Sequence, residues 1–268
     1  MEKLVYISGA SGQIGKSIRS YISSKNIKTI VMSRTVVDLY TNESFLKYHL
    51  GDSIEPISGD FKHIFIHLAN TFDNEKEKGL DANVNALIKI KESFRSKKNK
   101  KIVFLSSPDI DNANLTAYLS AKKKSEEILN IKNDLIIRPS WIHSLEGGNK
   151  ILLKFPNSYI PIPKNNNKLA PMHLSTFSKE LFNSIFIENR TGIFLFLGKE
   201  KVTFKEYLKK YHSKRSFFLP NIFWEILIFF FKNINFKNSF FLSERIEGLM
   251  NLRDISDIAD GNIHEIIV

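Results

Sequence analysis

Tyr118 and Lys122 stand four residues apart, a spacing that puts both side chains on one face if the segment is helical. A free phenol has a pKa of about 10 and is a poor proton carrier at neutral pH. A lysine ammonium beside it stabilises the phenolate and brings it toward working range. Ser107 closes an apolar run, Phe104-Leu105-Ser106-Ser107, and can hydrogen-bond the same substrate oxygen as the phenol. Tyr-x-x-x-Lys pairs arise often by chance. The specificity here comes from the context, a strand-like run ending Ser-Ser ahead of the pair and a glycine-rich turn far upstream. The chemistry implied is proton transfer to or from a substrate oxygen by Tyr118, with Lys122 and Ser107 in support.

That turn is Gly9-Ala10-Ser11-Gly12-Gln13-Ile14-Gly15, with spacing G-x-x-G-x-x-G. It follows a short apolar run and opens a helical pattern, the place where glycines let the backbone approach a pyrophosphate. The free N–H groups of the helix start then face the phosphates. Gly9, Ser11, Gly12, Gln13, Ile14 and Gly15 are therefore cofactor-binding candidates. After the second apolar run the chain reads Met32-Ser33-Arg34-Thr35, with no acid before Asp38. An acid there would bond the adenosine ribose, whereas a basic residue accommodates an extra phosphate, so Ser33 and Arg34 point to NADP(H) over NAD(H).

The elements that must hold these residues follow from periodicity. Apolar runs of strand length at 4–8, 29–33, 46–50, 64–68, 101–106 and 135–138 alternate with helical patterns at 14–23, 80–95 and 117–130. Buried strands alternating with helices predict a parallel sheet covered on both faces, with ligands at the carboxyl ends of its strands. From about residue 144 the rhythm breaks into turns and prolines. Helices are expected at 176–187, 204–211 and 221–231, with a strand at 193–197 between the first two. We read 1–143 as the nucleotide-binding domain and 144–268 as a smaller lobe, mostly helical and interleaved with the core.

Composition bounds the rest. The 268 residues, 43% apolar and 25% charged, suffice for one large core with a lobe. The absence of cysteine excludes disulfides, thiolate catalysis and thiolate metal sites. The seven histidines have no ligand-like spacing, so no metal is expected. A net charge of +11 favours an anionic partner, yet no nucleic-acid motif accompanies it, and the lysines at 97–101 and 122–124 read as solvated helix faces or strand entries. The start runs straight into a strand with no leader pattern, so a cytoplasmic protein is expected. The aromatic stretch 217–231 is too short to span a membrane. It is expected to pack within the lobe, in preference to meeting a lipid-bearing substrate.

With these residues in place, the chain resembles the extended short-chain dehydrogenase/reductases, the NAD-dependent epimerase/dehydratase family, along most of its length. His67-Leu68-Ala69-Asn70 is similar to that family's H-L-A-A/G segment, and Asn83-Val84-Asn85-Ala86 to its N-V-x-G. Phe104 to Ser107 is similar to its serine motif, Tyr118 to Lys122 to Y-x-x-x-K, and Arg138-Pro139-Ser140-Trp141 to its R-P segment. Pro171-Met172-His173-Leu174 and Val202-Thr203-Phe204-Lys205-Glu206 are similar to motifs of its substrate lobe. The resemblance implies a Rossmann α/β fold, a doubly wound parallel sheet with a small C-terminal substrate lobe. It implies Ser107, Tyr118 and Lys122 as the catalytic set. It adds Asp52, Leu68, Ala69, Asn70, Asn83, Pro139 and Ser140 to the cofactor contacts, with Tyr118 and Lys122 also touching the cofactor.

Ser107, Lys168 and His173 are implied on the substrate side. The substrate is then a sugar nucleotide or a lipid-diphosphate-linked sugar, reduced at a 4-keto group or epimerised at C4. Two departures bear on that substrate. Only ten residues separate Ser107 from Tyr118, and Pro108-Asp109-Ile110-Asp111 replaces the family's V-Y-G. The resemblance leaves room for a homodimer and for peripheral membrane contact. Other classes stay open beside the enzyme: a cofactor sensor without catalysis, or a binding protein at the membrane surface.

Overall fold

The computed structural model describes residues 1–71, 76–144, 159–234, 239–258 and 263–268. The first half runs β1 (Glu2–Ser8), α1 (Gln13–Ser24), β2 (Lys28–Ser33), β3 (Glu43–Lys47), β4 (Phe61–His67) and α2 (Lys76–Ser93). It continues through β5 (Lys100–Leu105), α3 (Ala117–Ile128) and β6 (Leu135–Pro139). The second half begins with four short strands, β7 (Ile142–His143), β8 (Ile160–Pro163), β9 (Lys168–Leu169) and β10 (Met172–His173), then α4 (Leu174–Phe182). Next come β11 (Gly192–Leu197), β12 (Val202–Thr203), α5 (Phe204–His212) and β13 (Ser216–Leu219). The chain ends with α6 (Asn221–Asn233), α7 (Ser239–Met250) and β14 (His264–Ile267).

Eight strands form one parallel sheet in the order β14-β11-β6-β5-β4-β1-β2-β3. The order reverses between β1 and β4, so the carboxyl ends of these two strands open the crevice in which such sheets bind dinucleotides. Strand alternation sorts the core into two layers. Val5, Ile7, Ile64, Ile66, Val103, Leu105 and Ile137 face one side, where Ile18 and Ile22 of α1 and Phe177 and Leu181 of α4 cover them. Leu4, Tyr6, Phe65, Ile102, Phe104 and Ile136 face the other, beneath Leu87 and Ile90 of α2. The doubly wound α/β fold is therefore present as the periodicity predicts.

Several local expectations are corrected. The edge strand β3 begins at Glu43, not residue 46, because the Glu43 carboxylate takes Arg19 Nε at 2.8 Å in a buried pair with α1. The second half also supplies β11 and β14 to the main sheet. Lys101 is buried, not solvated, and donates to Asn189 Oδ1 at 2.7 Å and the Arg190 carbonyl at 2.9 Å. Lys122 is likewise buried. The aromatic helix α6 does not pack its apolar face away. Among its described side chains only Trp224 is buried, while Ile222, Phe223, Ile226, Phe229 and Phe230 are exposed.

Candidate active site

The glycine turn links β1 to α1 as expected. Gly9 adopts φ +71°, and a Cβ there would lie 2.6 Å from the Ala69 nitrogen and 2.8 Å from the Leu68 carbonyl carbon. Only a glycine lets the segment after β4 pass this close. A Cβ on Gly15 would lie 2.5 Å from the Gly9 oxygen, whereas one on Gly12 would keep 3.2 Å from the same atom. Gly12 sits at the N-cap of α1 with no side-chain cap, and Gly12 N donates to Gly9 O at 3.0 Å. The first N–H groups of α1 thus have no side-chain cap of their own at a cradle that any Cβ would fill, which fits the pyrophosphate of a dinucleotide. Ser11 and Gln13 are exposed beside it.

The segment after β4 is fixed by three contacts. Ser8 Oγ and His67 Nδ1 share a 2.8 Å hydrogen bond, and Ser8 also accepts from the Ala69 N–H at 3.4 Å. Burial, with Lys122 adding to it, holds the His67 imidazole down to about 3, so it stays neutral. Asn83 clamps the Thr71 backbone from α2, accepting from its N–H at 2.9 Å and donating to its carbonyl at 3.0 Å. Sequence reasoning counted Asn83 as a cofactor contact. Its side chain shapes the loop after β4 and also lines the crevice beside Lys122.

Helix α3, which carries the candidate Tyr118 and Lys122, starts at a Thr116 cap, whose Oγ1 accepts from the Leu119 N–H at 3.3 Å. Tyr118, half-buried in its first turn, and Lys122 one turn later share a face, with Lys122 Nζ 5.5 Å from the Tyr118 ring centroid. The same ammonium lies 4.6 Å from the Phe104 ring centroid and donates to the Leu105 carbonyl at 2.6 Å. Burial pulls it down to about 8, with Glu126 acting in the opposite direction. Burial also pushes the Tyr118 phenol above its ordinary value, and the positive charge of Arg245 counters that. Ser107 stands two residues beyond the end of β5. Its Oγ accepts from the Asp109 N–H at 3.3 Å, capping a short turn, and its own O–H is left to donate. A shallow crevice lined by His67, Ala69, Asn70, Asn83, Phe104 and Lys122 joins β4, α2, β5 and α3.

Two residues of the site were invisible to sequence reasoning. Glu244 of α7 is buried, and its carboxylate accepts from the backbone N–H groups of Ala117 and Tyr118 at 3.3 and 3.0 Å. It binds the far end of the chain to the first turn of α3, where an anion also suits the helix dipole. Glu126 of α3 pairs with Arg138 of β6 in a bidentate contact at 2.9 and 2.7 Å. No local motif marks either pairing: Glu244 lies 126 residues from Tyr118, and Glu126 and Arg138, though 12 apart, meet only when α3 packs on the strand that follows it.

The remaining candidates lie around this centre. Ser33 is buried at the end of β2 and its hydroxyl donates to the Thr35 carbonyl, while Arg34 is exposed. The loop that carries Arg34 is anchored by Arg19 Nη2, which donates to the Asp38 carbonyl at 2.6 Å. The Asp52 carboxylate closes a surface turn by accepting from the His49 N–H at 2.7 Å. Leu68 lies in the segment after β4, next to the glycine turn. Pro139 ends β6, and the buried Ser140 accepts from the Ala170 N–H at 3.1 Å. His173 caps α4, accepting from the Ser175 N–H at 3.2 Å, with its ring centroid 5.5 Å from that of His143. Lys168 is exposed in β9, opposite Thr203.

Comparison with protein-family models and with curated proteins gives no match for this chain. Solved structures do match it. The dTDP-glucose 4,6-dehydratase of Bacillus anthracis, in complex with NAD, superposes with a TM-score of 0.65 at 12% identity over 81% of this chain and 84% of that one. The human epimerase family protein SDR39U1 with NADPH reaches 0.65 at 13% identity over 93% and 88%. The UDP-glucose 4-epimerase of Thermus thermophilus with NAD reaches 0.59 at 14% identity over 81% and 86%. Fold and superposition together define the class: a doubly wound α/β chain built like these dehydratase and epimerase structures. At such identities the shared property is the fold.

Proposed function

We propose that the chain is an NAD(P)-dependent oxidoreductase or epimerase acting on a nucleotide-linked sugar, by 4-keto reduction or C4 epimerisation. The observation that carries this reading is the buried Lys122 ammonium, set between the Leu105 carbonyl and the Tyr118 and Phe104 rings at the carboxyl end of the sheet. The glycine turn would hold the pyrophosphate of a dinucleotide, with Lys122 toward its nicotinamide end. The bound nicotinamide supplies the hydride acceptor and donor. Tyr118 takes a proton from, or returns it to, the sugar oxygen. Lys122 lowers the cost of the phenolate, and Ser107 donates a hydrogen bond to the same oxygen. Support for the sugar comes from the structures of like fold, two of which are named for dTDP-glucose and UDP-glucose. A lipid-diphosphate carrier would present the same reacting ring.

Arg34, exposed at the end of β2, supports a preference for NADP(H). A cytoplasmic setting is part of the proposal. Tyr118→Phe removes only the ionisable oxygen, so folding and cofactor affinity should persist while turnover of a nucleotide sugar falls about 100- to 10,000-fold. Near-full turnover by this variant would overturn the assignment.

A further inference from the structure

Helix α6 and the strand leading into it carry a large apolar surface. Ile222, Ile226 and Phe229 are 62%, 63% and 71% exposed, and Phe223 and Phe230 are exposed with them. Their spacing places all five in one stripe along the helix, with the buried Trp224 on the opposite side. Phe217 and Phe218 of β13, just ahead of Pro220, are exposed as well. A helix that only filled the lobe would bury this stripe. Here α6 packs on α7 and keeps the stripe outward, so seven large apolar side chains within 14 consecutive positions are exposed. Surfaces of this kind mark interaction sites.

The charge around the stripe selects among partners. Residues 201–234 hold seven cationic side chains against two acidic ones, Glu206 and Glu225; Lys210 and Lys232 pair with Glu200 and Glu247 and Lys214 is buried, which leaves Lys201, Lys205, Lys209 and Arg215 as exposed cations. Lys205 Nζ lies 5.1 Å from the Phe218 ring centroid, so an ammonium stands at the rim of the apolar patch. Arg215 Nη1 donates to the exposed Tyr159 hydroxyl at 3.2 Å, setting a cation and an amphipathic ring on the neighbouring strand. Two copies of this face would bring like charges together at their rims. A surface of acyl chains beneath anionic headgroups matches both parts at once.

We infer that the α6 stripe, with Phe217 and Phe218, docks the protein onto the surface of an anionic phospholipid bilayer. The helix lies in the interface plane with its apolar side chains among the acyl chains and the basic rim against the headgroups. Among the described residues no helix is long and apolar enough to cross a membrane, so the contact is peripheral. The inference is independent of the proposed catalysis.

Sedimentation of the full chain with vesicles tests it. One set is phosphatidylcholine alone, the other an equal mixture of phosphatidylcholine and phosphatidylglycerol. The protein should pellet with the mixed vesicles, bind the neutral ones more weakly, and lose binding as salt is raised. The Ile226→Ser/Phe229→Ser variant replaces exposed side chains, so it should keep the wild-type melting temperature while its affinity for mixed vesicles falls about a hundredfold. In an otherwise unchanged chain, Phe230→Trp should shift its added emission to the blue on mixed vesicles. Three results would each overturn the inference: wild-type protein left in the supernatant with both vesicle sets, wild-type binding by the double serine variant, or unshifted Phe230→Trp emission. A dimer in solution that the serine variant cannot form, without vesicle binding, would assign the stripe to a second copy instead.

Discussion

Arg138→Met should destabilise the protein severely, and its cost can be worked from the contacts of the guanidinium. Nε and Nη2 donate to the two Glu126 oxygens at 2.9 and 2.7 Å, and Nη1 donates to Asp111 at 3.0 Å. The Arg138 and Glu126 side chains are 7% and 8% exposed, but Asp111 is 45% exposed. The Asp111 contact is therefore solvent-screened and contributes little, at most about 1 kcal/mol. Methionine replaces the stem of Arg138 but leaves Glu126 as a buried carboxylate without its cation, a loss of about 3–5 kcal/mol. For a chain of this size that is a fall in Tm on the order of 10 °C. Glu126→Met should also be destabilising for the reciprocal reason, because it leaves the buried Arg138 cation with only the exposed Asp111 as partner. The double variant Arg138→Met/Glu126→Met leaves no orphaned charge and should recover to within about 2 kcal/mol of the wild type. Urea unfolding of the four proteins closes the cycle. A loss below about 1 kcal/mol for Arg138→Met, or single effects that simply add in the double variant, would refute the argument. Because Glu126 lies one turn beyond Lys122 on α3, both single variants should also lower turnover of a nucleotide sugar more than they alter cofactor affinity.

Gly15→Val should cost about 3 kcal/mol or more in urea unfolding, because its Cβ would strike the Gly9 and Ala10 backbone, which cannot step aside. Gly12→Ala meets only one atom, at 3.2 Å, so it should fold and show its effect as weakened cofactor binding in fluorescence titration; the opposite ranking would place the phosphate cradle elsewhere. Arg34→Ala should weaken NADPH binding about tenfold or more while leaving NADH unchanged, and equal losses for both cofactors would remove Arg34 from the phosphate site. Lys122→Met should be inactive, yet more stable than the wild type at pH 7. The folded chain sheds the Lys122 proton at about 8, against 10.5 for an ordinary lysine. Between those values the unfolded state binds more protons, so wild-type stability from this group rises with pH through the window and is lowest below it. The advantage of the methionine variant should accordingly shrink from about pH 8 upward, which melting curves across that range will show.

Much of this protein is written in local signals. The alternation of β1, β4, β5 and β6 sets which residues face each layer, and it can be read without knowing the partners. The glycine turn is legible because Gly9 and Gly15 meet backbone within their own turn or at the end of the very next strand in the sheet. Tyr118 and Lys122 are legible because helical spacing alone puts them on one face. What the sequence could not supply are pairings whose partners lie far apart along the chain. Glu43 decides where β3 begins through a buried arginine from α1, and Glu244 reaches back 126 residues to the Tyr118 N–H. Burial of Lys101 depends on Asn189 and Arg190, which no pattern around residue 101 announces. The outward stripe of α6 is the sharpest case. Periodicity shows that a helix is apolar, but whether a neighbour covers its face is decided only when the elements are packed.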